Sequence, residues 1–296
     1  MNGKLNCIVF GGSGFLGSHV ADVLSEKGHL VKIYDVKRSV YLKSTQEMIV
    51  GDILDGDKVR HALKETDVIY NFAGIADIEE CVHEPIETVK YNILGNTILL
   101  EAAKNKGIKR FVYASSVYVY SDSGSFYRCS KKACEDYIET YGKQYGLDYT
   151  ILRYGTLYGN RADMRNSVHR FLVQAMREGK VTYPGNGEEM REYIHVIDAA
   201  QGSVEILENE FNNEHVIFTG HQPMRVKELF MMISEILKKE IEIEYVTPRS
   251  EAAMDHYTIT PYTFIPKLGK KYVKHYYTDM GQGLISCMQE IFDKKF

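Results

Sequence analysis

The sequence predicts a doubly wound, parallel α/β sheet joined to a smaller, irregular C-terminal lobe. Three observations carry this. Apolar strand-like runs alternate with helix-length amphipathic stretches through the first half. A glycine-rich turn follows the first run and opens the first helix. An acidic residue, Asp35, closes the second run.

The first strand is LNCIVF (5–10), and VFGGSGFLGSH (9–19) follows from it. Gly12, Gly14 and Gly17 satisfy GxGxxG, while Gly11, Gly14 and Gly17 satisfy GxxGxxG. Glycine permits a tight turn and lets the backbone approach a pyrophosphate. The helix expected over 15–28 supplies amide N–H groups and the positive end of its dipole. The second strand, LVKIYD (30–35), ends on Asp35, a carboxylate suited to accept from an adenosine ribose. That disfavours a 2′-phosphate and favours NAD over NADP. Lys37 and Arg38 offer positive charge to such a phosphate, so NADP remains the alternative.

The strand MIV (48–50) leads into GDI (51–53), where Asp52 reads either as an acceptor for an adenine amino group or as a turn cap. Helix 57–65, strand DVIYNF (67–72), helix 86–106, strand RFVYAS (110–115), helix 127–145 and strand DYTILRY (148–154) complete the alternation. Ligands on such sheets bind at the carboxyl ends of the strands.

After Tyr154 the rhythm loosens, with turn signals at GNRAD (159–163) and PGNGEE (184–189). Helices are expected at 164–178, 197–208 and 226–238, strands at 215–218 and 241–246, a loop-rich aromatic stretch at 247–277, and a last helix. The domain reading is a dinucleotide-binding part over 1–155 with roughly 190–220, and a substrate-binding lobe from 156–189 and 221–296.

Composition narrows the function classes. A net charge of −4 with scattered Lys and Arg gives no basic stripe for nucleic acid. No apolar run approaches the roughly 20 residues that span a bilayer, and MNGKLNCIVFGG lacks a signal-peptide core. Cysteines 7, 81, 129, 134 and 287 are odd in number and without CxxC spacing, so they read as reduced thiols in a cytoplasmic protein, with no metal site.

The stretch SSVYVYSDSGSFYRCSK (115–131) carries the chemistry. In a helix, Lys131 lies one turn beyond Tyr127 on the same face. A nearby ammonium and an oxidised nicotinamide lower a phenol's pKa, which suits it to take a proton from a sugar hydroxyl as hydride leaves the same carbon. Ser116, at the end of the fifth strand, would orient that hydroxyl. The alternative is an exposed helix that happens to carry polar side chains.

Here the chain resembles the extended short-chain dehydrogenase/reductase superfamily, in its NAD-dependent nucleotide-sugar epimerase/dehydratase branch. The matching pieces are GGSGFLGSH, Asp35, GDI, NFAGIAD (71–77), YNILGN (91–96), ASSVYVY (114–120), YRCSK (127–131), RYGTLYG (153–159) and GNGEEMREYIHVIDAA (185–200). The resemblance implies a Rossmann-like fold, with Ser116, Tyr127 and Lys131 as catalytic residues. It implies a cofactor site lined by Gly11, Gly14, Phe15, Leu16, Gly17, Asp35, Asp52, Ile53, Phe72, Ala73, Gly74, Asn92, Tyr127 and Lys131. Ser116, Thr156, Arg191 and Arg249 would meet the substrate, with Arg191 gripping a nucleotide diphosphate; its alternative is a salt bridge to Asp198 or Glu192. It further implies a homodimer through a four-helix bundle of 86–106 and 127–145, with a tetramer as the other assembly, and a role in polysaccharide or glycoconjugate precursor synthesis.

Several positions depart from the family pattern. Only ten residues lie between Ser116 and Tyr127, a stretch much longer in most relatives. The pocket is therefore expected to be more open, or closed by the second lobe or a neighbouring subunit. Val117 and Tyr118 stand where 4,6-dehydratases carry an acidic pair, which disfavours elimination. Thr156 replaces an asparagine, and Phe10 replaces a threonine as a packing change. Cys129 and Cys134 read as packing. The expected activity is oxidation and reduction at C4 of a nucleotide-linked sugar, as a 4-epimerase or C4 dehydrogenase. The alternatives are a 4-ketosugar reductase, a dehydratase and a non-catalytic NAD-binding scaffold.

Overall fold

The computed structural model describes residues 3–104, 106–221, 223–246, 269–274 and 276–294. The strands β1 (Asn6–Phe10), β2 (Leu30–Asp35), β3 (Gln46–Val50), β4 (Val68–Asn71), β5 (Arg110–Ser116) and β6 (Tyr149–Tyr154) follow the apolar runs. The helices α1 (Phe15–Glu26) and α2 (Gly56–Ala62) lie between the early strands. A further chain of helix, α3 (Ile78–His83), α4 (Pro85–Thr88) and α5 (Gly95–Ala103), precedes β5. The expected helix over 86–106 is one rod interrupted by a π-helical stretch, Val89–Leu94, between α4 and α5. Helix α6 (Ser125–Tyr145) starts earlier than the sequence suggests, because Gly124 takes a left-handed φ of 100° and turns the chain sharply into it.

The second half adds β7 (Thr156–Tyr158), α7 (Ser167–Glu178), β8 (Lys180–Pro184), β9 (Met190–Arg191), β10 (Tyr193–His195), α8 (Val196–Glu205), β11 (Glu214–Phe218), β12 (Met224–Arg225), α9 (Val226–Leu237), β13 (Glu242–Val246), β14 (Lys270–Lys271) and α10 (Met280–Asp293). The short strands β7, β8, β9, β10 and β12 are not evident from sequence. They lie in two-stranded sheets outside the main one, β7 with β10, β9 with β12, and β8 with β13. Lys270 and Lys271 are exposed yet extend the sheet as a parallel edge strand on β11.

The main sheet has the order β14-β11-β6-β5-β4-β1-β2-β3, and every pairing in it is parallel. The order reverses between β1 and β4, which opens the crevice where doubly wound sheets take ligands. Both faces are covered, as buried parallel strands require. On one face α1 and α8 bury Val20, Leu24, Ala199, Ala200 and Val204 against Val9, Val112 and Leu152. On the other, α2, α5 and α6 bury Val59, Leu99, Leu100, Cys134 and Ile138 against Ile8, Ile69 and Phe111. Phe10, the residue that departs from the family pattern, is fully buried with its ring 4.6 Å from Tyr34, so its role is packing.

A third core joins α7, β8, α9 and α10 through Phe171, Leu172, Val181, Phe230, Ile233, Leu284 and Ile291. Asn166 caps α7 by accepting from the His169 N–H at 3.1 Å. Polar struts tie this core to α1. Arg161 meets Asp22 at 2.7 Å and its backbone N–H donates to Glu290 at 2.8 Å, while His19 Nε2 lies 3.0 Å from the Asn160 carbonyl. Cys134 is buried as expected, but Cys129 is exposed. It faces outward from α6 because it stands two residues from Tyr127, and so does not pack.

Burial pushes the His19 and His195 imidazoles below their ordinary value of 6.5. The folded chain therefore favours their neutral forms, and the unfolded chain binds protons more readily. Their contribution to stability is present above about pH 6.5 and is lost as pH falls below it. His195→Asn keeps an N-cap for α8 and removes one of these groups. Its urea midpoint should fall less than the parent's between about pH 7.5 and 5.5. Equal falls would show that His195 does not contribute.

Candidate active site

The glycine loop closes by contacts that exclude side chains. Gly11 has φ 74°, its N–H donates to the Tyr34 carbonyl at 2.9 Å, and a Cβ there would lie 2.7 Å from the backbone of Phe72 and Ala73. A Cβ at Gly17 would collide with the Gly11 carbonyl oxygen, and one at Gly12 would lie 2.9 Å from Val9 O. Gly14 begins α1 with no side-chain cap, and the first turn, which includes Phe15 and Leu16, holds no acidic residue. Its amide N–H groups are thus left to an external acceptor. This cradle, which Cβ atoms would fill, fits a dinucleotide diphosphate.

Asp35 stands beside the cradle. Its carboxylate accepts from the Ser13 N–H at 3.0 Å and from the Lys37 N–H at 3.1 Å, and Ser13 Oγ donates to the Lys37 carbonyl at 2.7 Å. A carboxylate has about four acceptor positions, so this anchoring leaves capacity for a ribose diol. Asp52 accepts from the Leu54 N–H at 2.9 Å, the turn-cap arrangement. Ile53 is buried against Gly95. Phe72 and Ala73 are half-buried and Gly74 turns with φ 140°. Asn92, within the π-helical stretch, accepts from the Ile75 N–H at 2.7 Å and donates to the Ile75 carbonyl at 3.0 Å and to Ser130 Oγ at 2.9 Å. Its amide thereby braces the 72–75 loop against α6.

The hydroxyl, phenol and ammonium come together at the carboxyl end of β5. Ser116 ends the strand, accepts from the Tyr118 N–H at 3.3 Å and stands beside the Tyr127 phenol. Lys131 is buried, lies 5.6 Å from the centre of the Tyr127 ring, and donates to the Ala114 carbonyl at 2.8 Å. Tyr127 is half-buried as a residue, with its hydroxyl end enclosed. Burial pushes this phenol up to about 12, while the Ser116 hydrogen bond pulls it down. The expectation of a phenol lowered by Lys131 is therefore corrected for the protein alone: the ammonium is directed at Ala114, and desolvation dominates. Burial also pushes Lys131 down, opposed by Cys134, Cys81 and Glu135.

Tyr118 stands edge-on to Tyr127, ring centres 6.3 Å apart, and fills the space under Gly124, where a Cβ would lie 2.7 Å from its ring. The segment between Ser116 and Tyr127 is a single 3₁₀ turn, Val117–Tyr120, followed by a tight bend. Thr156 pairs with Tyr193 between β7 and β10. Arg191 is buried on β9 and donates to the Met190 carbonyl at 2.8 Å. Asp198 is engaged by Lys274 at 2.9 Å and by the Thr278 N–H at 2.8 Å. Arg249 lies outside the described residues. The sequence holds one further signal here. Glu135 is a third polar residue at the same four-residue spacing as Tyr127 and Lys131, and only the packing supplies its meaning. Among the described residues no cluster of potential metal ligands occurs, and no helix is long and apolar enough to cross a membrane.

A parallel sheet with a glycine cradle at its switch point and a serine, tyrosine and lysine around the end of β5 defines a dinucleotide-dependent oxidoreductase of the Rossmann-like class. The chain belongs to the NAD dependent epimerase/dehydratase family, whose sequence profile matches residues 7–218. It is 29% identical to a putative UDP-glucose 4-epimerase from Methanocaldococcus jannaschii over 265 residues, covering 82% of this chain and 86% of that one. It is 27% identical to a UDP-N-acetyl-alpha-D-glucosaminuronate decarboxylase from Bacillus cytotoxicus, covering 82% and 84%. The crystal structure of UDP-glucose 4-epimerase with UDP-glucose from Thermotoga maritima superposes with a TM-score of 0.85 at 25% identity, covering 98% and 99% of the two chains.

Gly17→Ala should abolish copurification of NAD, measured as cofactor released on denaturation. Gly56→Ala on α2, where the added methyl would have its nearest neighbours at 3.4 and 3.5 Å, should retain it. Full NAD content in Gly17→Ala would refute the cradle.

Proposed function

We propose that the protein is an NAD-dependent 4-epimerase of a nucleotide-linked sugar, working through Ser116, Tyr127 and Lys131. The observation that carries this reading is the convergence of Ser116, the enclosed Tyr127 phenol and the buried Lys131, 5.6 Å from the Tyr127 ring centre, at the carboxyl end of β5. Bound NAD supplies a hydride acceptor and a positive charge. Tyr127 takes the proton of the C4 hydroxyl and returns it in the reverse sense. Ser116 orients that hydroxyl and shares its proton. Lys131, held by Ala114, stands behind the phenol and in its ammonium form sets a positive charge there. A positive charge favours the phenolate, which opposes the effect of burial on Tyr127. The glycine cradle and Asp35 hold the diphosphate and adenosine ribose, with Phe72–Gly74 beneath. Arg191 and Thr156, with the lobe built on α7, β8, α9 and α10, receive the nucleotide and sugar.

Val117 and Tyr118 follow Ser116 where elimination would need proton-transfer carboxylates, which weighs against a dehydratase. A C4 dehydrogenase differs only in releasing the ketosugar. Exposed Ile86, Val89 and Leu94 on the α4–α5 rod, and Phe126 and Tyr137 on α6, support a homodimer through these helices. We place the enzyme in the cytoplasm, supplying precursors for surface polysaccharide or glycoconjugate.

Purified protein incubated with a panel of UDP-hexoses, UDP-N-acetylhexosamines and UDP-uronic acids should give a C4 epimer without net NADH. Accumulating NADH with a ketosugar would mark a dehydrogenase instead. Tyr127→Phe should lower kcat by about 10³-fold while NAD stays bound. Retained activity in that variant would overturn the assignment of Tyr127. Light scattering should report two chains per particle, and Tyr137→Glu should shift it toward one.

A further inference from the structure

Three residues on one face of α6, each one turn apart, face the last three residues of β5. The Tyr127 phenol stands beside Ser116, Lys131 Nζ donates to the Ala114 carbonyl at 2.8 Å, and Ser115 Oγ donates to Glu135 Oε1 at 2.5 Å. The first two residues have roles in the proposed chemistry. The third does not, yet it carries the most extensive bonding. Arg153, which is the register partner of Ser115 on β6, donates to Glu135 from Nε at 3.0 Å and from a terminal nitrogen at 2.6 Å. Its other terminal nitrogen donates to the Tyr120 hydroxyl at 2.5 Å, and its guanidinium lies 4.7 Å from the centre of that ring. Tyr120 ends the 3₁₀ turn that Ser116 begins, and it also accepts from the Gly269 N–H at 2.9 Å. On the far side, His215 of β11 lies 3.2 Å from Glu139 and 3.9 Å from Glu135.

Ser115, Tyr120, Glu135 and Arg153 are all buried. A buried ion pair is a poor means of stabilising a fold, because desolvation offsets its Coulombic gain and apolar residues of similar volume often do as well or better. Its distinguishing property is directional: a bidentate fork and a hydroxyl allow one register and penalise others. Hydride transfer is sensitive to displacements of about an ångström. The network grips β5, β6, the 3₁₀ turn and α6 at once, next to Ser116 in the chain.

We propose that Glu135 is a positioning residue, which through Ser115 and Arg153 locks α6 in the register that brings Tyr127 and Lys131 to Ser116. This rests on the reading of Tyr127 as the acid–base residue. The lock acts on geometry, so its loss lowers turnover at each cofactor-loaded site and leaves affinity for substrate nearly unchanged.

Three variants and two readouts test it. Ser115→Ala deletes one bond of the lock and leaves the ion pair. Glu135→Gln removes the charge. The double variant Glu135→Met with Arg153→Met replaces the pair with apolar volume and protects folding if Glu135→Gln alone does not fold. Turnover is measured per NAD-loaded site, counted from cofactor released on denaturation. It should fall about tenfold in Ser115→Ala and about a hundredfold in the double variant, with KM within about twofold of the parent. A merely structural pair would change melting and the loaded fraction but not turnover per loaded site. Independently of activity, the ¹³Cζ resonance of Tyr127, assigned by its loss in Tyr127→Phe, should shift in Ser115→Ala. Unchanged turnover per loaded site in Ser115→Ala and the double variant, or an unmoved Tyr127 resonance, overturns the proposal. If Tyr127→Phe itself stays active, the chemical reading has failed and takes this one with it. An inactive Tyr127→Phe beside unaffected lock variants sinks the lock alone.

Discussion

The parallel pairing of β1 with β4 is the constraint on which the rest of the structure depends. It sets Phe10 opposite Asn71, and the Phe72 N–H donates to the Phe10 carbonyl at 2.9 Å. The two chains then leave the sheet side by side, one into the glycine turn and the other into the 72–75 loop. Their separation leaves no room for a side chain at Gly11. Strand order reverses at this pair, so no crossover helix covers the gap between the two exits. The crevice is a consequence of topology, and the glycines are a consequence of how closely the two backbones must approach.

Beyond the crevice the site is built by burying polar groups that water would otherwise hold. Lys131 is enclosed and donates to the Ala114 carbonyl, and the Tyr127 hydroxyl is enclosed beside Ser116. Desolvation favours neutral forms of both groups, raising the phenol and lowering the ammonium. The protein alone therefore holds an acid–base pair biased against ionisation. Such a site responds strongly to any positive charge brought into the crevice, because a low-dielectric surround strengthens each added interaction.

The short connection after Ser116 changes what borders the reacting groups. A 3₁₀ turn, then Gly124 at φ 100° and Ser125 at φ 44°, brings the chain into α6 within a few residues. Tyr118 occupies the space beneath this bend, and Gly269 approaches from the C-terminal side to meet Tyr120. A longer segment would have its own backbone to satisfy. Here aromatic side chains do the enclosing, and the backbone of Gly269, just before the edge strand β14, adds to it.

By itself the sequence determined the alternation of β1 to β6, the glycine cradle, Asp35, and the spacing of Tyr127 and Lys131. Each of these is a local pattern: a period of two or 3.6, a residue that only glycine can replace, or a separation of one helical turn. Tertiary structure alone decided the rest. The π-helical stretch Val89–Leu94 holds Asn92, which bonds Ile75 and Ser130, partners far away in the chain. The strands β7 and β10 exist because they pair with each other, not because either carries an apolar pattern. The direction of the Tyr127 shift could not be read from the nearness of Lys131 along the helix. It depends on how much water the surrounding elements remove and on where the ammonium finds its acceptor, and both are properties of packing between segments distant in sequence.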